Sequence, residues 1–506
     1  MHPVIQSYTI ENGIHCRILS VQTVIRKGIP GFQIGGLSSQ SRETCERIKT
    51  AFHSASIDFP YKSIFTNLSP AGLKKNGSHF DLAISVSLLY QIESEIKNSF
   101  LKKLDLKKTI FLGELSLSGE ILPLENIKSI IQAAILDGIK NIILPEKNLP
   151  DLVLGLPVHL FPMRSLLDIF KKNITEKQGQ IKLRLNTEGE NEFNSYHFPE
   201  HVLRAMMIAA AGWHSILLIG PPGTGKTTAA KLLRYLLPDP DYHELLEIYN
   251  FSYAGIVREN SVQRPVRIPH HTATPKSMVG GGSPVEYGEV TRAHNGLLIL
   301  DEMAEFNRSS LQSLREPMQE KKIQITRGTE SICFPADFLF AATTNPCSCG
   351  YLGSSLRACI CRPSSIESYR KKIMGPLRDR IELEVIVEGE KNYEKKINYR
   401  EAKSIINEAS RFQKERFKNT SYRYNSQIDE NDLVRFCSLE HIKEAETLFN
   451  STRYSHRVIS GITRIARTIA DLSGEEKINR NCIMEALSYR ILDEYWPSGN
   501  SHLIKK

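Results

Sequence analysis

The chain has 506 residues, of which 41% are hydrophobic and 24% are charged, a balance typical of soluble globular proteins with two to four domains. No stretch approaches 18 uninterrupted apolar residues, and the first ten residues carry neither a basic nor an apolar segment, so we expect no membrane association, no secretory signal and a cytoplasmic location. The net charge of +9 permits a polyanionic partner without proving one, and nine cysteines, four of them clustered, favour a reducing compartment with a metal site over a disulfide framework.

Residues 1–170 predict a first domain of short strands and helices. Periodicity and turn signals predict its elements: strands at 21–25, 32–34 and 141–144, helices at 38–52, 80–90 and 127–137, and a hairpin at 111–120. Residues 171–196 are polar, charged and weakly periodic, so we interpret them as a linker.

The stretch LSLSGEILPLENIKSIIQAAILDGIKNIILPEKN at 115–148 resembles the proteolytic domain of the Lon proteases. In that family a serine and a lysine form the catalytic dyad, and the family's lysine falls on Lys128. The serine position is occupied by His79, and Ser78 lies one residue early. A nucleophile must lie within hydrogen-bond reach of its base, and a shift of one residue usually turns the side chain away. We therefore expect a Lon-like fold without peptidase activity.

A phosphate-binding loop follows. Residues 220–227 read GPPGTGKT and match G-x-x-x-x-G-K-[ST] at each fixed position, between an apolar run at 215–219 and a helical pattern at 228–237. Such a turn presents backbone N–H groups and the positive end of a helix dipole to an anion. We expect Lys226 to bind the β- and γ-phosphates and Thr227 to bind Mg²⁺. The predicted ATP-binding residues of this loop are Gly220, Pro221, Pro222, Gly223, Thr224, Gly225, Lys226, Thr227 and Thr228.

Two further apolar runs end in residues that suit ATP hydrolysis. The run at 297–300 is followed by Asp301, predicted to hold Mg²⁺, and by Glu302, predicted to act on the attacking water. The run at 337–342 leads to Asn345, the candidate sensor of the γ-phosphate. An asparagine before a proline is also a common turn residue, so this role depends on the other motifs.

Four cysteines form the pattern C-x-C-x₉-C-x-C. Four thiolates can close a tetrahedral Zn²⁺ site, and such a site would be structural because no position remains for water. Two pairs of free thiols in a loop are the alternative. The predicted zinc ligands are Cys347, Cys349, Cys359 and Cys361.

The motif order resembles that of AAA+ ATPases, and longer stretches are similar to the magnesium-chelatase-like proteins of the ComM/YifB type. They include RPVRIPHHTATPKSMVGGG at 264–282, YGEVTRAHNGLLILDEMAEF at 287–306, GPLRDRIELE at 375–384 and SHRVISGITRIARTIADL at 455–472. The resemblance implies an α/β fold in three parts. These are a Lon-like α+β domain at 1–170, an AAA+ core with a doubly wound parallel sheet at 197–390, and a helical lid at 391–506, with a cysteine-rich insert at 345–362.

The same resemblance implies an ATP-driven, hexameric DNA motor, similar to the branch-migration helicases of natural transformation. It places the arginine finger, which acts on a neighbouring subunit's nucleotide, at Arg380, with Arg378 as second choice, and a lid residue that reaches the nucleotide at Arg457. Arg464 and Arg467 follow on the same predicted helix with lower rank. Where the family carries Gly-Gln near the adenine, this chain has Phe198-Pro199, so the sequence leaves the base contacts open.

Two other functions remain alternatives: a magnesium-chelatase-like motor acting on a partner other than DNA, and an ATP-dependent protease. The Lon-like stretch disfavours the first, since a chelatase motor subunit begins near its ATPase core, and His79 disfavours the second. Candidate DNA contacts are only weakly indicated, at Arg264, Arg267, Lys276 and Arg292.

Overall fold

The computed structural model describes residues 4–11, 15–37, 41–70, 75, 78–93, 96, 99–125, 127–151, 158–177, 187–251, 264–282, 285–327, 330–354, 357–374, 377–388, 397–437 and 455–490. Parts of the predicted linker (178–186), of the cysteine-rich insert (355–356) and of the predicted lid (391–396, 438–454 and 491–506) lie outside this set. The described residues form two compact units, one up to residue 177 and one from residue 187 onward. No helix among them is both long and apolar enough to cross a membrane.

The first unit is a mixed sheet covered by helices. Its sheet has the order β3-β4-β2-β1-β5-β8-β9, with antiparallel pairing around β2 and parallel pairing from β1 to β9. The elements are β1 (Ile5–Glu11), β2 (His15–Arg26), β3 (Gly31–Gly35), α1 (Ser41–Ser54), β4 (Ser63–Ser69), α2 (Asp81–Ile92), β5 (Thr109–Phe111), β6 (Glu114–Leu115), β7 (Ile121–Leu122), α3 (Ile127–Leu136), β8 (Asn141–Pro145) and β9 (His159–Met163). The hairpin predicted at 111–120 is present in a shifted form, as the two-residue strands β6 and β7 pair antiparallel across a turn.

The second unit is built on a five-stranded parallel sheet of order β11-β14-β17-β10-β18. Strands β10, β14 and β17 are buried along their whole length, which explains their continuous apolar runs. The elements of this part are α4 (Thr187–Asn194), α5 (Glu200–Gly212), β10 (Ile216–Ile219), α6 (Lys226–Leu236), α7 (Tyr242–Phe251), β11 (Val266–Arg267), α8 (Pro275–Val279), β12 (Gly280–Gly281), β13 (Glu286–Tyr287), α9 (Glu289–Arg292), β14 (Leu297–Leu300), α10 (Arg308–Ser313), α11 (Arg315–Glu320), β15 (Lys322–Arg327), β16 (Glu330–Pro335), β17 (Leu339–Thr344), α12 (Pro363–Met374) and β18 (Leu383–Ile386). The predicted α/β class is confirmed.

Helices complete this unit at its carboxyl-terminal side: α13 (Tyr399–Arg416), α14 (Leu433–Phe436), α15 (His456–Leu472) and α16 (Arg480–Ser488). Helix α15 is strongly amphipathic, and its Ile462, Ile465 and Ile469 share one apolar core with α5 and with strand β10. The helical part and the sheet are therefore packed together within one unit.

A buried arginine joins these helices to the sheet. The Arg264 guanidinium donates to the Glu244 carboxylate at 2.8 and 3.1 Å, to the Tyr424 hydroxyl at 2.9 Å and to the carbonyl oxygen of Asn295 at 2.8 Å. The Tyr424 ring stacks on Trp213 with centroids 4.6 Å apart. Arg264, one of the weak candidates for a DNA contact, is thus a buried structural residue, and that expectation was wrong.

Candidate functional site

The phosphate loop connects the carboxyl end of β10 to the first residue of α6. Gly223 and Gly225 adopt positive φ angles of 80° and 83°, which glycine reaches without the steric cost other residues meet. At Gly220 an added Cβ would lie 2.0 Å from the carbonyl oxygen of Val387, so a side chain has no room there. The loop therefore has the glycine-dependent geometry of an anion-binding turn at a helix N-terminus.

Lys226 is held inside this loop. Its Nζ donates to the carbonyl oxygens of Gly220 at 2.7 Å and Pro221 at 2.6 Å. Burial lowers the pKa of Lys226 to about 8, although the nearby Asp301 and Glu302 act in the opposite direction. Its two carbonyl partners are dipoles that a phosphate oxygen can replace, so the lysine is placed for the predicted contact.

A chain of hydrogen bonds connects the loop to the next two strands. The hydroxyls of Thr227 and Thr343 both donate to Asp301 Oδ1, at 2.8 and 2.6 Å. The Thr343 hydroxyl in turn accepts from the backbone N–H of Glu302 at 3.0 Å. The structure thus unites three predicted residues and adds Thr343, which the sequence did not single out for a role. Its only signal was its position near the carboxyl end of an apolar strand.

Glu302 has an unusual backbone. Its φ and ψ of 51° and 53° lie in the left-handed region, which costs a residue other than glycine about 1–2 kcal/mol. The residue is exposed and directly follows Asp301. Strain of this kind is often retained at functional positions, and here it falls on the residue predicted to act on water.

The predicted sensor Asn345 and the cysteine cluster follow β17 directly. The four cysteine sulfurs lie within 4.8 Å of one another, with three pairs at 3.4–3.6 Å. Tetrahedral Zn²⁺ with Zn–S bonds of about 2.3 Å places sulfurs about 3.8 Å apart, so the spacing fits a zinc ion. Burial raises the pKa of Cys349, but backbone N–H groups of Tyr351 and Ile360 outweigh it and lower that pKa to about 6. Such donors stabilise thiolates and suit a metal site.

The cysteine loop also lies against the phosphate loop. A Cβ added to Gly350 would come 2.7 Å from Cδ of Pro222, so the two backbones approach closely there. Since Cys347 is two residues from Asn345, the cluster is attached to the candidate sensor on one side and contacts the nucleotide loop on the other. Its folding therefore affects the positions of both.

Arg380 and Arg457 meet at the opposite end of the sheet. Arg380 donates to Gln319 Oε1 at 3.0 Å, and Arg457 donates to the same oxygen at 3.2 Å. Arg380 lies just before the amino end of β18, and Arg457 reaches the same place through Gln319. The phosphate loop follows the opposite, carboxyl end of the neighbouring parallel strand β10, and the two ends of that strand are about 10 Å apart. Arg457, predicted to reach the nucleotide from the lid, thus lies away from the phosphate loop of its own chain.

These arginines line a cavity of about 690 Å³ that also includes Arg464, Arg490 and Glu382. Burial lowers the pKa of Arg380, and so do the positive charges of the nearby Arg457 and Arg315. The lining also carries five acidic side chains, Glu320, Asp379, Glu382, Asp429 and Glu430, so acidic and basic groups balance over the cavity as a whole.

Comparison with known proteins identifies the family. Three family models match consecutive parts of the chain: subunit ChlI of Mg-chelatase at 21–148, magnesium chelatase subunit ChlI at 193–395 and its C-terminal region at 398–490. Competence protein ComM of Haemophilus influenzae is 32% identical over 504 residues, which cover 95% of this chain and 96% of that protein. Uncharacterized protein YifB of Escherichia coli is 32% identical over 497 residues, with the same shares. The chain belongs to the ComM/YifB family of magnesium-chelatase-like proteins.

In this ComM/YifB family member, the two lower-ranked arginines of α15 have structural partners. Arg464 donates to the carbonyl oxygen of Ile428 at 2.7 Å. Arg467 donates to the Asp471 carboxylate at 2.9 Å and to two backbone carbonyls after the helix. Both side chains therefore fix the helical part, which agrees with their lower rank as nucleotide contacts.

The first unit contains the residues at the positions of the Lon catalytic dyad, His79, Ser78 and Lys128. His79 is buried, and desolvation lowers its pKa to about 4, so its imidazole is neutral at physiological pH. Its Nε2 has no hydrogen-bond partner among the described residues. Ser78 is partly exposed and donates to the Glu114 carboxylate. The side chain of Lys128 lies outside the described part of the chain.

Proposed function

We propose that this ComM/YifB family member is an ATP hydrolase that works in a homo-oligomeric ring, with a hexamer as the expected form. The observation that carries the proposal is the hydrogen-bond chain from Thr227 through Asp301 and Thr343 to Glu302, at the mouth of the phosphate loop. It brings residues of three separate motifs, the phosphate loop and the ends of β14 and β17, close together.

Each residue then has a defined task. Lys226 and the loop N–H groups bind the phosphates, and the oxygens of Thr227 and Asp301, 2.8 Å apart, suit Mg²⁺, which usually takes one or two protein ligands. Bound Mg²⁺ neutralises charge on the phosphate oxygens. Glu302 accepts a proton from the attacking water, and Asn345 orients the γ-phosphate side of the site.

Arg380 and Arg457 act across the subunit boundary in this proposal. Since both lie at the amino end of β18, they serve the nucleotide of the next subunit rather than their own. An arginine finger supplied in this way stabilises transition-state charge and is worth roughly 10³–10⁵ in rate.

Zn²⁺ is proposed as a structural ion at the four cysteines. The sulfur spacing and the backbone donors to Cys349 support it. Held there, the ion fixes the loop that begins beside Asn345 and rests on Pro222.

DNA is the proposed substrate of the motor. The supporting observations are the net charge of +9 and similarity along almost the whole chain to a protein named for competence. The family models named for magnesium chelatase favour one second candidate, a motor acting on a partner other than DNA. The protease alternative is disfavoured by the buried, neutral His79, and we expect no ATP-dependent casein degradation.

ATP hydrolysis with and without DNA tests the proposal. We expect DNA to stimulate hydrolysis by the wild-type protein and the protein to move a forked or branched substrate, less well as salt rises. Lys226→Ala should abolish nucleotide binding, whereas Lys231→Ala, an exposed lysine on the same helix, should leave it intact. If the protein hydrolyses ATP but DNA does not change the rate, the ATPase proposal stands and the DNA substrate is replaced by the second candidate, a partner other than DNA.

A further inference from the structure

Three neighbouring strands of the first unit expose one face of their sheet. Strands β2, β4 and β3 lie side by side, and every second side chain packs towards the helices α1 and α2. On the opposite face, strand pairing sets Phe65 of β4 beside Val24 of β2 and Gln33 of β3. The next pair along the same face joins Asn67 to Gln22. We call this surface the open sheet face, since four of these five side chains are exposed.

An aromatic ring lies at the centre of the open sheet face. Phe65 is 40% exposed, although large apolar side chains are usually buried. A Cβ added to Gly35 of β3 would come 2.8 Å from Cζ of this ring and 3.6 Å from Oδ1 of Asn67. The ring therefore leans over β3 at a position without a side chain, which leaves it open to a ligand.

A second exposed ring lies at one end of the same strands. Tyr61, two residues before β4, is 89% exposed, and Ile29, in the turn between β2 and β3, is 91% exposed. The N–H of Gly31 donates to the carbonyl oxygen of Lys62 at 3.1 Å, which holds the two segments together. Several large exposed side chains gathered at one place are typical of a contact surface.

The charge of the open sheet face is positive. Strands β2, β3 and β4 contain no aspartate or glutamate. Arg26 pairs with Ser63 and is exposed at the Tyr61 end of the face, and the neighbouring Lys27 and Lys62 are also exposed. The exposed acidic residue closest to Tyr61 along the chain is Asp58, so basic side chains outnumber acidic ones at this end.

We propose that the open sheet face binds single-stranded DNA. Aromatic rings on a sheet surface stack on unpaired bases, and the side-chain amides of Gln22, Gln33 and Asn67 are groups that hydrogen-bond to base edges. The cations at the end of the face match the phosphates of the strand. The inference rests on the DNA substrate proposed above and assigns the binding of one separated strand to the first unit.

Charge also distinguishes DNA from a second copy of the chain as the occupant. In a two-fold symmetric contact the same patch lies on both partners, so this face would meet an identical one. Its cations would then lie against cations, without a carboxylate on any of the three strands to pair with them. Complementary charge therefore favours a polyanion over self-association through this face.

The first experiment measures binding of a fluorescein-labelled oligothymidylate to the full-length protein by fluorescence anisotropy. We expect Phe65→Ala and Tyr61→Ala each to raise the Kd about tenfold, because each removes a ring on which a base stacks. Phe65→Tyr keeps the ring and should bind as the wild-type protein does. The matched control is Phe412→Ala on α13, which removes a phenylalanine of equal exposure, 41%, and should leave the Kd unchanged.

Salt dependence separates stacking from charge. Arg26→Gln and Lys62→Gln should each reduce the slope of log Kd against log salt concentration by about one, since each removes a phosphate contact. Phe65→Ala should weaken binding without changing that slope. Arg42→Gln, at an exposed position of α1, is the control and should change neither quantity. A wild-type Kd for Phe65→Ala, or a wild-type slope for both basic variants, overturns the proposal.

The second experiment does not depend on a substitution. Ultraviolet crosslinking of the wild-type protein to an oligonucleotide containing iododeoxyuridine should label the peptide that carries Tyr61 and Phe65. Labels confined to the second unit overturn the proposal, as does a loss of assembly by Phe65→Ala in sedimentation without DNA, which would assign the face to a contact between copies. If the wild-type protein binds no single-stranded DNA while DNA stimulates its hydrolysis of ATP, only this inference fails. If DNA neither binds nor stimulates, the DNA substrate fails with it.

Discussion

Arg380 and Arg457, which are 77 positions apart in the sequence, donate hydrogen bonds to the same oxygen, Oε1 of Gln319. One belongs to the segment before the last sheet strand and the other to the amphipathic helix α15. Their shared partner fixes both cations at one point on the surface of the subunit, so we expect them to act on the same nucleotide.

Removal of either arginine should stop hydrolysis without weakening ATP binding by the same chain. Because a finger acts on the neighbour, Arg380→Ala should lower kcat by roughly 10³ and leave the Kd for ATP unchanged. Mixing it with Lys226→Ala should restore part of the activity, since a mixed ring can place an intact arginine at an intact site. If Arg457→Ala instead weakens ATP binding by its own chain, the two arginines do not work together.

Glu302→Gln should retain nucleotide binding and lose hydrolysis, because an amide cannot accept the proton of the attacking water. The variant should accumulate in ATP-bound assemblies, which analytical ultracentrifugation can detect. Glu305→Gln, three residues further on and also exposed, is the matched control and should hydrolyse ATP normally. Normal hydrolysis by Glu302→Gln would show that another group activates the water.

Thr343→Val should lower kcat, because it removes the hydroxyl that donates to Asp301 and accepts from the N–H of Glu302. Thr343→Ser keeps that hydroxyl and should recover most of the rate. The loss expected for the valine variant is about twofold to a hundredfold, from one or two net hydrogen bonds of about 0.5–1.5 kcal/mol each. Equal rates for the valine and serine variants would contradict a role for the hydroxyl.

Metal analysis of untagged protein should return close to one zinc per chain. Cys359→Ser should reduce the zinc content and lower ATPase activity, since the cluster adjoins Asn345 and Pro222. The matched control is Cys333→Ser, an exposed cysteine outside the cluster, which should keep both zinc and activity. Zinc-free protein with full activity would exclude the site.

The buried imidazole of His79 should make the first unit sensitive to acid. Its pKa in the folded state, about 4, lies below the ordinary value of 6.5, so the unfolded chain binds the proton first as pH falls. The stability that His79 contributes is therefore complete above pH 6.5 and is lost as pH falls towards 4. Asp81 acts in the opposite sense, because burial raises its pKa to about 6, so acidification from pH 6 towards 3.8 relieves a buried charge.

These opposing effects predict a specific result for His79→Asn. The wild-type first unit should change little in stability between pH 6 and pH 4, since the two groups compensate. The variant retains only the contribution of Asp81 and should gain stability over that interval, by about 2 kcal/mol. Urea unfolding at pH 6.5, 5.5 and 4.5 measures the free energy of unfolding of both proteins. The same pH dependence of that free energy in the wild-type protein and in the variant would contradict the role of His79.

The nucleotide motifs could be read from the sequence because each is local. The apolar runs at 297–300 and 215–219 correspond closely to β14 and β10, and the helix predicted at 228–237 begins two residues earlier, at Lys226. Buried parallel strands need continuous apolar residues, and the glycines of the loop are required by its backbone. These features leave a signal within a few neighbouring positions.

Other relationships depend on long-range packing and leave no such signal. Nothing near Thr343 indicates that its hydroxyl bridges Asp301 and Glu302, and the position of Arg457 beside Arg380 depends on how α15 packs on the sheet. The predicted linker at 171–196 contains helix α4, whose Phe193 is buried by tertiary contacts despite its polar surroundings. A periodicity argument cannot detect a helix stabilised mainly by one aromatic anchor.

The buried Arg264 has a consequence for motion. To swing the helices α13–α16 away from the sheet, a subunit would have to separate this guanidinium from the Tyr424 hydroxyl, while its ion pair with Glu244 would remain. Losing a hydrogen bond to a charged group costs about 1.5–3 kcal/mol. In the proposed ring, the sheet and the helices of each subunit would then move as one rigid body. The movements driven by ATP would occur at the interfaces between subunits.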